Sequence, residues 1–118
     1  MLPDDQEARL RCYRNALRNW QFQGYVRFKP LAVEWLANEL PGLNLRDAAR
    51  ELFQYVEGGG EIDEQVERRP EYAHYEFHYD LRVKIGDRHV YFETVLNVLK
   101  DPDDPDDPTI LVVNAHDV

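Results

Sequence analysis

The sequence predicts an α+β domain, with N-terminal helices packed on a C-terminal twisted antiparallel sheet of three to four strands. Apolar residues recur at helical spacing as far as Val56, and after Gly58-Gly59-Gly60 the period changes to two. The chain has 118 residues, 43% of them hydrophobic, which suits one domain with a packed core. The expected division is a single domain over 1–118: a helical part over 1–57, a sheet over 61–116, and an acidic, proline-rich loop over 101–108.

The first helix is expected from about Asp5 to Phe22. Pro3, Asp4 and Asp5 suit a helix start, because acids favour the positive end of the helix dipole. Leu10, Tyr13, Leu17 and Trp20 form its buried stripe, and Gly24 ends the pattern. Tyr25 to Phe28 reads as a short extended piece. Pro30 then opens a second helix to about Leu40, with Val33, Leu36, Ala37 and Leu40 on its apolar side and Pro41-Gly42 as its stop. Asn44 caps a third helix, with Asp47 three residues on. Leu45, Ala48, Ala49, Leu52, Phe53 and Val56 fit the amphipathic pattern at every position. Trp20 and Trp35 read as core residues, as does the lone Cys12, which leaves no disulfide and no cysteine-based metal site.

The strands follow. Ile62 to Arg68 is short and polar, as an edge strand would be. Tyr72 to Ile85 alternates: Tyr75, Phe77, Tyr79, Leu81, Val83 and Ile85 on one face, and His74, Glu76, His78, Asp80, Arg82 and Lys84 on the other. Gly86-Asp87 is a two-residue hairpin signal. The next strand is expected from about Arg88 to Leu99, with Val90, Phe92, Leu96 and Val98 on one face and Tyr91, Glu93, Val95 and Asn97 on the other. Prolines and five carboxylates make 101–108 an exposed loop, and it lacks the glycine and closing glutamate of an EF-hand. Thr109 to Ala115 is the last strand. Its run Ile110-Leu111-Val112-Val113 predicts a strand buried on both faces.

Net charge is −9 and unevenly placed. Residues 1–56 hold 8 Lys or Arg and 7 Asp or Glu, and residues 57–118 hold 6 and 16. Such an acidic half disfavours RNA and suits either a soluble surface or a basic protein partner. No apolar run reaches the length of a membrane helix, and the first residues lack the basic and apolar segments of a secretory signal. A cytoplasmic protein without membrane contact is therefore expected. There is no Gly-rich phosphate loop before a helix, and with no serine in the chain there is no serine nucleophile.

The polar sheet face is where chemistry can reside. Cleavage of RNA by acid–base chemistry needs a base for the 2′-hydroxyl, an acid for the leaving oxygen and a cation for the phosphorane-like charge. Glu93 or Glu76 can be the base. His78 or His116 can be the acid, and Arg82 can grip the phosphate while Tyr91 stacks a base or orients the phosphate. The candidate catalytic set is His78, Arg82, Tyr91, Glu93 and His116, with no cofactor and no metal. His74, Glu76 and His78, joined by His116, offer an alternative metal-binding row, but no signature spacing supports it.

Three segments resemble a known superfamily. Val26-Arg27 leads into a helix ending Glu39-Leu40-Pro41-Gly42-Leu43, after which Leu45 and Asp47 open the next. Gly86 precedes Val90-Tyr91-Phe92, and Leu111-Val112-Val113 leads into Asn114-Ala115-His116. Together these span about 25–116 and resemble the RelE/ParE-like toxins, nearest the motility quorum-sensing regulator branch of mRNA interferases. The resemblance implies helices before a twisted antiparallel sheet, with a site on one sheet face. It places Tyr91 on a site tyrosine, His116 on a basic terminal-strand residue, and His78 or Asp80 nearest a glutamine of the long strand. Those toxins are strongly basic and this chain is not. The expected function is a noncatalytic protein-interaction module of toxin-like fold, with a metal-independent endoribonuclease as the alternative.

Overall fold

The computed structural model describes residues 2–98 and 107–118. Helix α1 (Gln6–Arg18) is capped by Asp5, whose carboxylate accepts from the Ala8 amide, 3.2 Å. Strand β1 (Val26–Phe28) leads directly into α2 (Pro30–Glu39), and α3 (Leu45–Glu57) is capped by the Asn44 side chain, which accepts from Asp47 N, 2.7 Å. Four strands follow: β2 (Asp63–Val66), β3 (Phe77–Ile85), β4 (Arg88–Asn97) and β5 (Thr109–Asp117).

The fold class is α+β as expected, but the sheet has five strands and is mixed. Its order is β1-β5-β4-β3-β2, with β1 parallel to β5 and the other pairs antiparallel. The extra strand is the short extended piece at Val26–Phe28, which is too short to announce itself by alternation. α2 and α3 carry the chain from the β1 edge to the opposite β2 edge. β3, β4 and β5 then return it strand by strand.

The core lies between the helices and one sheet face. Tyr13, Ala16 and Leu17 from α1, Ala32 and Leu36 from α2, and Ala48, Leu52 and Val56 from α3 meet Tyr79, Leu81, Val83, Val90, Phe92, Ile110 and Val112. Thr94 is polar but fully buried. Its hydroxyl donates to Tyr79 O at 2.7 Å, so the Tyr13 hydroxyl must be the donor in their 2.7 Å bond. Arg9 is also buried. Its Nε and Nη2 each donate to Glu64 at 2.9 Å, its Nη1 donates to Pro3 O and Asp4 O, and the guanidinium covers the Phe77 ring. This pair ties α1 to the edge strand β2. No helix among the described residues is long and apolar enough to cross a membrane.

Several expectations are corrected. α1 ends at Arg18 rather than Phe22, and Ala37 of α2 faces solvent. Trp20 and Trp35 are half-buried, lying beneath the guanidinium groups of Arg46 and Arg88 rather than inside the core. The long strand begins at Phe77, because Pro70–Tyr72 forms a 3-10 turn that continues through Ala73 and His74. His74 and Glu76 therefore leave the strand, and the i, i+2, i+4 row that suggested a metal does not form. The apolar run in β5 is buried on both faces, as expected, but its alternation is broken. Glu93 pairs with Asn114 and Thr94 with Val112, so Val113 is the extra residue of a β-bulge that shifts the alternation by one. The acidic stretch 101–106 and Leu99 lie outside the described residues.

Candidate functional site

The sheet face away from the helices carries the ionisable side chains. Register sorts them into rows that cross the strands. One row runs Asp63, Asp80, Glu93, Asn114. The next runs Arg82, Tyr91, His116, and beyond it Lys84 pairs with His89. The first row comes from β2, β3, β4 and β5 in turn, so it places three carboxylates on three adjacent strands.

Part of this face is overlaid by the loop between β2 and β3. The loop is closed at its base by Glu67 N–H donating to Glu76 O, 2.9 Å. From there it reaches across the sheet. Arg69 Nη2 approaches Glu93 Oε2 on β4 at 2.6 Å, and the Tyr72 ring lies 5.1 Å from Lys29 Nζ, beside β1. The guanidinium of Arg69 also stacks on Tyr72, 4.5 Å to the ring centre. Val95 and Val113 are buried on this face, apart from the helix-side core.

A chain of polar contacts links the loop to the rows. Glu67 accepts from Arg69 Nε (2.9 Å) and Nη2 (2.8 Å) and from the Arg68 and Arg69 amides. Those bonds, the guanidinium's above all, hold the Glu67 carboxyl down to about 2 against the opposing effect of burial. His78 Nδ1 lies 3.2 Å from Glu67 Oε2, and its Nε2 lies 3.6 Å from Asp80 Oδ2. Burial pushes the Asp80 carboxyl up, and the neighbouring Glu93 and Asp63 charges add to this. A Tyr91 hydrogen bond and His78 oppose it. The Tyr91 hydroxyl is itself raised, first by burial and then by Asp80. Asp80 Oδ1 and Glu93 Oε2 are both buried and accept no hydrogen bond. Arg69 is close to the second of these, but its N–H is poorly directed, so the contact is chiefly electrostatic.

The five residues expected at a site all lie on this face, though they do not all converge. Tyr91 and His116 stack, 4.5 Å between ring centres and 20° between planes, and Arg82 lies 5.6 Å from the Tyr91 ring centre. Arg82 also pairs with Asp63, 3.3 Å. His116 Nδ1 donates to Asp117 O, 2.8 Å, which leaves Nε2 as the unprotonated nitrogen of the neutral ring. Glu93 sits one row away. His78 is four residues along β3 from Arg82 and two strands from His116, a Cα separation of about 16 Å. His78 and His116 therefore cannot act together on one phosphodiester.

Sequence reasoning missed Glu67 and Arg69. They lie in a charged run before Pro70, which reads as a solvated turn, and only the path of the loop brings them over the sheet. Among the described residues, no three His, Cys, Asp or Glu side chains converge as metal ligands would. No protein-family model, curated protein or solved structure matches this chain.

Proposed function

We propose that the protein is a noncatalytic interaction module of toxin-like fold that receives a basic segment of a protein partner on the sheet face away from the helices. One observation carries this reading. Asp80 Oδ1 is buried and accepts no hydrogen bond, Glu93 Oε2 is buried with only the ion pair to Arg69, and the nearest guanidinium groups, Arg69 and Arg82, are shared with Glu67 and Asp63. The face is thus short of positive charge, and a cationic partner would supply it. The charge of the whole chain, −9, would steer such a partner toward it. The test is binding of a labelled basic peptide, followed by fluorescence anisotropy across a salt series. Affinity should fall about tenfold or more between low and high salt, as screening shortens the electrostatic range. Absence of binding at low salt refutes the reading.

A metal-independent endoribonuclease is the second reading, favoured by the row Arg82, Tyr91, His116. There Arg82 would hold a phosphate and Tyr91 would stack a base or orient that phosphate. His116 Nε2 would transfer a proton, with Glu93 as the second acid–base group. It predicts cleavage of labelled RNA that persists with chelator and is lost in His116→Ala with the fold intact. If wild-type protein leaves the RNA whole, this reading is discarded.

A further inference from the structure

The buried oxygens of Asp80 and Glu93 on the sheet face specify more than a general preference for cations. Asp80 is only 5% exposed, and the Glu93 side chain only 12%. The two residues are direct register partners on β3 and β4, so their side chains start roughly 5 Å apart. Each keeps a buried oxygen that accepts no hydrogen bond, and the Glu93 one lies 2.6 Å from Arg69 Nη2. Buried carboxylate oxygens are rarely left unbonded, because their desolvation is then uncompensated. One group carrying several donors in a plane can satisfy both oxygens at once.

The surroundings select the kind of donor. Stacked Tyr91 and His116 lie on one side of the carboxylates. In the loop over the sheet, Arg69 lies on the Tyr72 ring. Aromatic faces beside a carboxylate pair suit a guanidinium, which is flat, forked and weakly hydrated, better than an ammonium. Arg69 shows how such a group enters. It reaches Glu93 at 2.6 Å, yet its directed bonds go to Glu67.

We propose that the Asp80–Glu93 pair is the anchor slot for one arginine side chain of the basic partner, and that Arg69 is an internal placeholder which yields it. This rests on the interaction reading above and adds the residue type recognised and the intramolecular competitor. Partner arginine would bridge Asp80 and Glu93, and Arg69 would retain Glu67.

The probes are two fluorescein-labelled peptides, one alternating arginine with glycine and the other lysine with glycine, measured by anisotropy against the full chain. The arginine peptide should bind about fivefold tighter than the lysine peptide. Asp80→Asn and Glu93→Gln should each weaken it about tenfold, while Asp87→Asn, on the exposed hairpin turn, removes the same charge with less than about twofold effect. Arg69→Gln should tighten binding roughly threefold, because it removes a competitor for the slot. Equal losses in Asp80→Asn and Asp87→Asn, or weaker binding in a folded Arg69→Gln, overturn the slot. Should Arg69→Gln unfold, the near-isosteric Asp80→Asn decides alone. Failure of the wild-type chain to bind either peptide sinks the interaction reading with the slot. Binding that ignores Asp80→Asn and Glu93→Gln sinks the slot alone.

Discussion

Replacing Arg9 by methionine tests how the edge of the sheet is held. The arginine donates four side-chain hydrogen bonds, two of them to Glu64, and the two side chains are only 10% and 5% exposed. Methionine keeps the apolar contact with Phe77 but removes every donor. Glu64 is then left buried with the Tyr79 hydroxyl, 2.9 Å away, and the Gln6 side chain as donors but without a countercharge from Arg9. Breaking one side of a buried ion pair costs about 3–5 kcal/mol, and the retained packing argues for the lower end. For a domain of this length, about 3 kcal/mol lowers the melting temperature by about 12 °C. Urea and thermal denaturation measure it. Adding Glu64→Gln should recover about half of the loss, since no charge then remains buried. The acid limb should change too. Burial pushes the Glu64 carboxyl up, but bonds from Arg9 and Tyr79 outweigh it and hold the group below its ordinary value. The pair's contribution is therefore present above that ordinary value and lost as pH falls. A loss under about 1 kcal/mol, or a double variant no more stable than Arg9→Met, would refute the argument.

Other outcomes follow from single contacts. Thr94→Val should cost about 1–3 kcal/mol, since it strands the Tyr13 hydroxyl and the Tyr79 carbonyl in the core; a melt at unchanged temperature contradicts this. The Glu67 carboxyl sits at about 2 against an ordinary 4.5, so its stabilisation is complete above 4.5 and drains away as pH falls toward 2. That difference is worth at most about 3 kcal/mol. Glu67→Gln should remove it and flatten stability against pH over this range, and an unchanged acid limb would count against the Arg69–Glu67 clamp. Gly86→Ala should cost about 1 kcal/mol from backbone strain alone, because φ is +61° and the added methyl meets nothing; an unchanged or higher melting temperature speaks against it.

Elements whose local code agrees with their packing were legible in the sequence. Asn44 and the glycine run bound α3 to the residue, and Gly86-Asp87 places the β3–β4 hairpin. Where long-range contacts decide, the sequence misleads. Val26–Phe28 is a strand only because residues 110–112 lie beside it. Tyr72 to Glu76 alternates like a strand, but Pro70 starts a 3-10 turn there and the chain folds over the sheet instead. Arg9 lies on the helical stripe occupied by Cys12, Tyr13 and Ala16, and arginine is read as solvent-facing unless its partner is known. The site shows the same division. Tyr91, Glu93, Arg82 and His116 share a face by strand parity alone. The bulge at Val113 sets Asn114 and His116 on that face, and only the loop path adds Arg69 and Glu67.

The pairing of Val26 with Ile110 joins neighbours from nearly opposite ends of the sequence. During synthesis, β1 and α2 emerge long before the strand that α2 packs against. Until β5 is made, Ala32 and Leu36 lack the surface that buries them, and the flank of β4 stands open as a template for foreign strands. Such a topology closes late and slowly, because its longest loop must be drawn in before the contacts that reward it exist. The nascent chain is therefore expected to depend on chaperones, and slowing translation ahead of β5 should raise its aggregated fraction.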